Sequence, residues 1–397
     1  MTSSEHGALS FLSTQLGSIR ASGGAHRLRV LESACEPVSR VDGREVINLA
    51  SNNYLGLANH PKLREAAIDA IKRYGAGSGA VRTISGTMSL HVELEERIAA
   101  FKHVEASVVF QSGFTANAGT VSAILTADDH IISDELNHAS IIDGCRLSRA
   151  KIHVFRHRDV VAAEEKLASL EGVPGHRLLI TDGVFSMDGD IGPLPELVAI
   201  AERHGAIMMV DDAHASGVLG RGGRGAVDRF GLHGRVDIQV GTLSKAVGVL
   251  GGYVCGSRDL IEFLHLRARP FLFSTSHPPA VTAACLAAFD LMENEPERVE
   301  RLWKNTSRFR EALRSAGLDT GASETPIVPV MVGEARKAHA YSQMLFDSGV
   351  FATGIGYPTV PEGKARVRTI VTAAHTDEQL DRAAEILASC AKAMGIL

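Results

Sequence analysis

Cysteine is scarce and scattered in this chain: Cys35, Cys145, Cys255, Cys285 and Cys390 are all of it. An odd set without close pairs excludes a disulfide-stapled secreted scaffold and offers no zinc-ribbon spacing. Basic charge is not in excess either. The formal net charge of -5 gives no bulk attraction to nucleic acid or an anionic membrane, which leaves only a local basic pocket for a polyanionic ligand. No apolar run approaches bilayer-spanning length, and the opening MTSSEHGALSF lacks the basic-then-hydrophobic order of a signal segment. Fixed-period repeats and low-complexity tracts are missing too. The expectation is a cytoplasmic globular chain without a metal or membrane requirement, and 397 residues suffice for a large domain with a smaller one attached.

What is present is a repeated rhythm. ASVVFQSG (106–113), HIISDE (130–135), RLLITDG (177–183), AIMMVDDAH (206–214) and DIQVGTLSK (237–245) each read as an apolar strand ending in polar residues. Amphipathic stretches such as LPELVAIAERHG lie between several of them, the pattern of a mostly parallel sheet covered by helices. In such sheets ligands bind outside the carboxyl ends of the strands, so those polar ends carry the candidate chemistry. Residues 1–50 read as an N-terminal helix and arm, 51–289 as the large domain, and 290–397 as a small C-terminal α+β domain.

GTLSK (241–245) is the strongest local signal. A desolvated lysine amine forms Schiff bases, and Thr242 and Ser244 put hydroxyls where a phosphate can sit; the bland reading is a surface turn lysine. MVDDAH places Asp211 and His214 at another strand end, where a carboxylate can hold a protonated pyridine nitrogen and an imidazole can meet a phenolic oxygen. A metal site or a cap by Asp212 competes, weakened by the lack of a second close histidine or cysteine. His138, in SDELNHASIIDG, is flanked by small residues that let its ring stack on a flat cofactor, although a helix-capping histidine is the plainer alternative. Ser186 follows a further strand in TDGVFSMDGD, whose aspartates do not complete a calcium loop. FQSGFTANAG leads from strand to helix, so N–H groups at Gly113 and Phe114 can hold phosphate, without the Walker order. GRGGRG formally matches a dinucleotide fingerprint but lacks its βαβ context, and no G-x-S-x-G elbow supports a Ser186–His214–Asp211 hydrolase.

Taken in order, VINLASNNYLGLANHP, SGAVRTISGT, SDELNHASIIDG, TDGVFSMDGD, MVDDAH, GTLSKAVG, RPFLFSTSHPP and GYPTVPEGKARVRTIVTAAH resemble the α-oxoamine synthases, which are fold-type I pyridoxal-phosphate enzymes. The resemblance covers nearly the whole chain. It implies an α/β fold-type I transferase with a mostly parallel central sheet and a smaller C-terminal α+β domain. By position, it implies Lys245 as the Schiff-base lysine, Asp211 as the pyridine-nitrogen partner and His138 as the stacking imidazole. Ser186 and His214 fall around the phenolic oxygen, and Gly113, Phe114 and Thr242 around the phosphate. Ser274 and Thr275 match contacts from a neighbouring subunit, so a homodimer with composite sites is expected. Arg368 matches the clamp on the substrate carboxylate and Asn53 a residue near the substrate. An amino acid and an acyl-CoA are the implied substrates. The preferred expectation is the glycine C-acetyltransferase reaction, glycine plus acetyl-CoA giving 2-amino-3-oxobutanoate and CoA. The alternatives are condensation of L-alanine with a pimeloyl thioester with loss of CO2, and, from another class, a non-catalytic pyridoxal-phosphate carrier. The acyl pocket draws on the arm, the 75–87 loop and the partner, so its size is not legible.

Overall fold

The computed structural model describes residues 7–21, 27–357 and 359–397. After a helix α1 (Phe11–Ala21), the arm forms β1 (Val38–Val41) and β2 (Arg44–Asn48), and helices α2 (Pro61–Tyr74) and α3 (Ser89–Lys102) follow. The central strands are β3 (Ala106–Phe110), β4 (His130–Asp134), β5 (Lys151–Phe155), β6 (Arg177–Asp182), β7 (Ile207–Asp211), β8 (Ile238–Thr242) and β9 (Gly252–Gly256). They pair in the order β3-β9-β8-β7-β6-β4-β5, with β9 antiparallel to both neighbours and the other pairings parallel.

Both faces of this sheet are covered, and the period of two shows it. Ile132, Leu179, Met208 and Val210 enter one core cluster, whereas Ile131, Leu178, Ile180 and Met209 enter the cluster on the opposite face. The apolar runs near 106, 130, 177, 206 and 237 become β3, β4, β6, β7 and β8 as expected. Two strands escaped the pattern. β5 is an edge strand, mostly exposed and without a covered face to demand apolar residues. β9 is bounded by glycine, and a Cβ on Gly252 would lie 2.3 Å from the Ser112 carbonyl oxygen, so glycine here lets the start of α4 (Gly113–Ile124) settle against the sheet.

Strands β10 (Ile327–Gly333), β12 (Thr353–Ile355) and β13 (Ala365–Ile370) form a small antiparallel sheet, and β11 (Val350–Phe351) pairs in parallel with β2. The arm is therefore stitched to the C-terminal unit: Ile47 and Leu49 share a core with Phe309, Val328, Val367 and Leu380. The loop 183–192 lies between this unit and the large sheet, with Gly189 O accepting from Glu324 N at 3.0 Å and Thr325 Oγ1 at 2.9 Å. Among the described residues no helix is long and apolar enough to cross a membrane.

Candidate active site

The carboxyl ends of β6, β7 and β8 converge, and the candidate residues gather there. Asp182 and Asp211 are cross-strand neighbours in register at the ends of β6 and β7. Asp211 is buried; its Oδ1 accepts from Ala213 N at 2.8 Å and its Oδ2 from Asn117 Nδ2 at 2.6 Å. Those donors fix the orientation of the carboxylate. Lys245 follows β8 by one short turn. Burial pulls its pKa down to about 8, against the opposing pull of Asp211 and Asp182, with Arg368 adding to the depression. An amine near neutrality is what a nucleophilic or proton-accepting lysine needs.

His138 caps the start of α5 (Ala139–Ser148), where its Nδ1 accepts from Ser140 N at 3.2 Å and lies 2.7 Å from Ser140 Oγ, while its backbone N–H donates to Asp182 Oδ2 at 2.8 Å. The capping role that competed with cofactor stacking is thus real, and the two are compatible because the cap uses Nδ1 and leaves the ring face unspent. Burial lowers the His138 pKa, with Lys245 in the same direction and Asp211 opposing. His214 is driven well below the usual histidine value by burial first, then by Lys245, Arg368 and His138. Its Nδ1 meets Tyr54 Oη at 2.7 Å. A neutral imidazole accepting the Tyr54 proton at Nδ1 carries its own hydrogen on Nε2.

Arg368 projects from β13 and donates through Nη1 to the Ser186 carbonyl at 3.0 Å. Its charge is felt by Lys245, His214 and Tyr54, so it belongs to the same cluster. Gly113 opens α4 behind its Ser112 cap, and a Cβ there would come within 3.4 Å of Thr242 Cβ, so the helix start and Thr242 are packed side by side. Phe114, beside it, is about half exposed. The first N–H groups of a helix lack intrahelical partners and attract anions.

Asn53, Ser274 and Thr275 fit less directly. The Asn53 amide is occupied internally, donating to Cys35 O at 3.3 Å and accepting from Ala58 N at 3.2 Å. Ser274 and Thr275 lie beside the 78–81 loop, where Thr275 bridges Val81 and its carbonyl accepts from Gln111 Nε2 at 2.9 Å. Three residues that position the cluster were not singled out from sequence: Asn117, Tyr54 and Asp182. Asn117 sits on α4 facing Asp211, and the capped helix start in FQSGFTANAG was the available signal. Tyr54 lay within a quoted motif, yet its contact to His214 spans 160 positions and leaves no local trace.

The donor set fits pyridoxal phosphate: a held carboxylate for the ring nitrogen, an imidazole face, a depressed lysine, and a helix start beside a threonine hydroxyl for the phosphate. Asn117 Oδ1, buried and without a protein partner, is a further polar atom at this site. Beside His138 and Ser186 a cavity of about 530 Å³ opens, walled by Leu136, Ile142, Phe185, Met187 and Val360. Away from the converging strand ends, His103, Asp228 and His233 bring ligand-type atoms within 4.8 Å of one another, but Asp228 already accepts from Arg221 N and His233 Nε2.

Residues 44–387 match the family model described as aminotransferase class I and II. A relative from Symbiobacterium thermophilum named 8-amino-7-oxononanoate synthase is 60% identical, covering 98% of this chain and 99% of its own. One of the same name from Thermoanaerobacter pseudethanolicus is 56% identical, covering 98% of each. A serine palmitoyltransferase structure with pyridoxal phosphate superimposes with a TM-score of 0.93 at 32% identity, over 99% of this chain and 100% of that one. These relatives overturn the expectation of glycine and acetyl-CoA as the substrate pair. That expectation rested on lysine, aspartate and arginine positions that the whole family uses alike, so nothing in those motifs could separate one amino acid and thioester from another.

Proposed function

The chain belongs to the aminotransferase class I and II family, as a pyridoxal-phosphate enzyme of the α-oxoamine synthase group, and on that premise we propose that it condenses L-alanine with a pimeloyl thioester to give 8-amino-7-oxononanoate, the free thiol and CO2. The observation that carries this reading is identity of 60% and 56%, along nearly the full length, to relatives of that name. The cleft supports the shared pyridoxal-phosphate chemistry with a lysine, a held aspartate and a carboxylate clamp in one cluster.

Bound pyridoxal phosphate supplies a conjugated ring that accepts the electron pair released at the alanine Cα. The protein's own residues do the rest. Asp211, fixed by Asn117 and Ala213, would hold the ring nitrogen. The N–H groups at the start of α4 and the Thr242 hydroxyl would hold the phosphate, and a neutral His214, with Tyr54 at Nδ1, would present its Nε2 hydrogen to the phenolic oxygen. Arg368 grips the alanine carboxylate, its remaining donors oriented by the bond to Ser186 O. Lys245 Nζ, its charged form disfavoured by burial, takes the Cα proton. A bond then forms from Cα to the thioester carbonyl carbon, the C–S bond breaks, and the carboxylate leaves as CO2 before a proton returns to Cα.

The proposal includes a homodimer with sites completed by the partner. Ile84 and Phe273, 83% and 69% exposed, lie on two segments that the Val81–Thr275 bridge joins, and a second copy would cover them. The test of the reaction is a matched panel of glycine and L-alanine, each with acetyl-CoA and pimeloyl-CoA, with products weighed by mass spectrometry. L-Alanine with pimeloyl-CoA should have the largest kcat/KM and release one CO2 per product. A higher kcat/KM for another pair would overturn it.

A further inference from the structure

His157 lies outside the cluster described above, two residues beyond the end of edge strand β5. Both of its ring nitrogens face carboxylates: Nδ1 is 3.1 Å from Asp134 Oδ1, at the end of β4, and Nε2 is 2.7 Å from Asp190 Oδ2, in the 183–192 loop. A ring with a carboxylate on each nitrogen donates twice only as imidazolium. The ring also stands edge-on to Phe185, with centroids 4.4 Å apart, and its backbone N–H donates to Glu135 Oε1. The adjacent Arg158 reaches Asp190 Oδ2 at 3.3 Å and Glu324 at 3.6 Å.

What the loop carries gives this arrangement its consequence. Phe185 N donates to Asp190 O, and Gly189 N to Phe185 O, so the loop is a closed unit that moves with Asp190. On its other side, Arg366 holds Met187 O and the Asp188 carboxylate, and Arg368 Nη1 holds Ser186 O. Displacing Asp190 therefore displaces the carbonyl that orients Arg368, along with Phe185 and Ser186 at the cavity wall. We propose that His157 is a positioning residue: bridging Asp134 and Asp190, it holds the 183–192 loop against the large sheet and so sets the angle at which Arg368 meets the amino-acid carboxylate. The inference rests on the proposed role of Arg368 as that clamp.

Burial alone lowers the His157 pKa, but the hydrogen bonds and charges of Asp134 and Asp190 outweigh it and push it up to about 9. The groups facing the ring and its neighbour are Asp134, Glu135, Asp190, Arg158 and Glu324, so negative charge outnumbers positive around it. The bridge is complete below the ordinary histidine value of 6.5 and is lost as pH rises through about 9, when one carboxylate loses its donor.

The holoenzyme is titrated with L-alanine, glycine and L-serine from pH 7 to 10, following cofactor absorbance without any thioester, alongside kcat and KM with thioester present. Wild-type amino-acid Kd should climb as pH passes about 9. His157→Phe keeps the contact with Phe185 but removes both donors, so at pH 7.5 it should raise Kd and amino-acid KM about fivefold, the scale of one lost net hydrogen bond. Its kcat should change less than about twofold, and its Kd should no longer respond near pH 9, since a mispositioned clamp weakens binding more than chemistry. His157→Gln, with one donor, should fall between the two and be equally flat. Asp190→Asn should reproduce the Phe variant and serves if that variant fails to fold. Wild-type Kd in these variants, or an alkaline rise that persists in them, would overturn the proposal. Failure of the substrate reading shows separately, as a wild-type response to glycine or L-serine and not to L-alanine; the variant comparison is then made with the responding amino acid. No wild-type response to any of them overturns both.

Discussion

Lys102 is among the largest fully buried side chains of the molecule, and its ammonium joins a buried network through Asp212, the residue after Asp211. It donates to Asp212 Oδ2 at 2.7 Å and Arg224 O at 2.6 Å, and lies 3.4 Å from Ser216 Oγ; the side chains of Lys102 and Asp212 are 1% and 0% exposed. Burial works against the lysine charge, yet Asp212 outweighs it and raises the pKa above the ordinary lysine value. Replacing Lys102 by methionine keeps most of the volume and strands a buried carboxylate. Stranding a buried partner costs about 3–5 kcal/mol. The low end applies here, because Ala226 N still donates to Asp212 at 3.2 Å, so the expected loss is about 3 kcal/mol. Urea denaturation of the apoenzyme measures it. Adding Asp212→Asn removes the stranded charge, and the double variant should be more stable than the sum of the singles by at least about 1 kcal/mol. Since Asp212 directly follows Asp211, Lys102→Met should also weaken pyridoxal-phosphate retention. A single-variant loss under about 1 kcal/mol, or strict additivity in the double variant, would refute the argument that this pair is a coupled buried unit.

Tyr54→Phe removes the hydroxyl 2.7 Å from His214 Nδ1 and leaves that buried nitrogen bare. It should cost about 1–3 kcal/mol in denaturation and alter the cofactor spectrum, and an unchanged spectrum would count against the tautomer argument. Lys245, with its pKa pulled down to about 8, should make apoenzyme load pyridoxal phosphate faster as pH rises through that value, measured by stopped-flow absorbance. Because the unfolded chain holds that proton more tightly, this lysine's contribution to folding improves from about pH 8 towards 10.5. Lys245→Ala should lose the visible absorption after gel filtration. Light scattering on dilute and concentrated enzyme should report a dimer, and a fully active monomer would contradict composite sites.

Fold and site were legible to different depths for physical reasons. The strands β4, β6 and β7, which feed both core layers, carry uninterrupted apolar runs because both layers demand it, whereas β8 is buried but interrupted by Gln239. Lys245, Asp211, His138 and His214 were legible because strand ends are where a parallel sheet puts ligands. What was hidden depends on distance along the chain: Tyr54 to His214, Asn117 to Asp211, and Arg368 to Ser186 join segments separated by 160, 94 and 182 positions. The pairing of β2 with β11 was hidden for the same reason, and it ties the arm to the C-terminal unit although their sequences lie at opposite ends.

Substrate choice stands at the far end of this scale. The groups that bond to an amino acid are polar, few and placed by strand ends, so they leave motifs. The groups that line an acyl pocket are apolar and interchangeable, as are Leu136, Ile142, Phe185, Met187 and Val360, which wall the cavity beside His138 from separate segments. Each is also an ordinary core residue type, so none announces a role. One methylene in such a pocket is worth about 1–3 kcal/mol of discrimination, which the shape of the wall supplies. Glycine and acetyl-CoA were read from motifs common to the whole group, whereas identity over the full length to 8-amino-7-oxononanoate synthases also samples the wall. Preference for the longer thioester should therefore respond to wall volume: Ile142→Phe, which fills the cavity without touching Lys245, Asp211 or Arg368, should lower kcat/KM for pimeloyl-CoA at least about tenfold relative to acetyl-CoA while leaving L-alanine binding unchanged. Equal losses for both thioesters would show that this cavity does not hold the acyl chain.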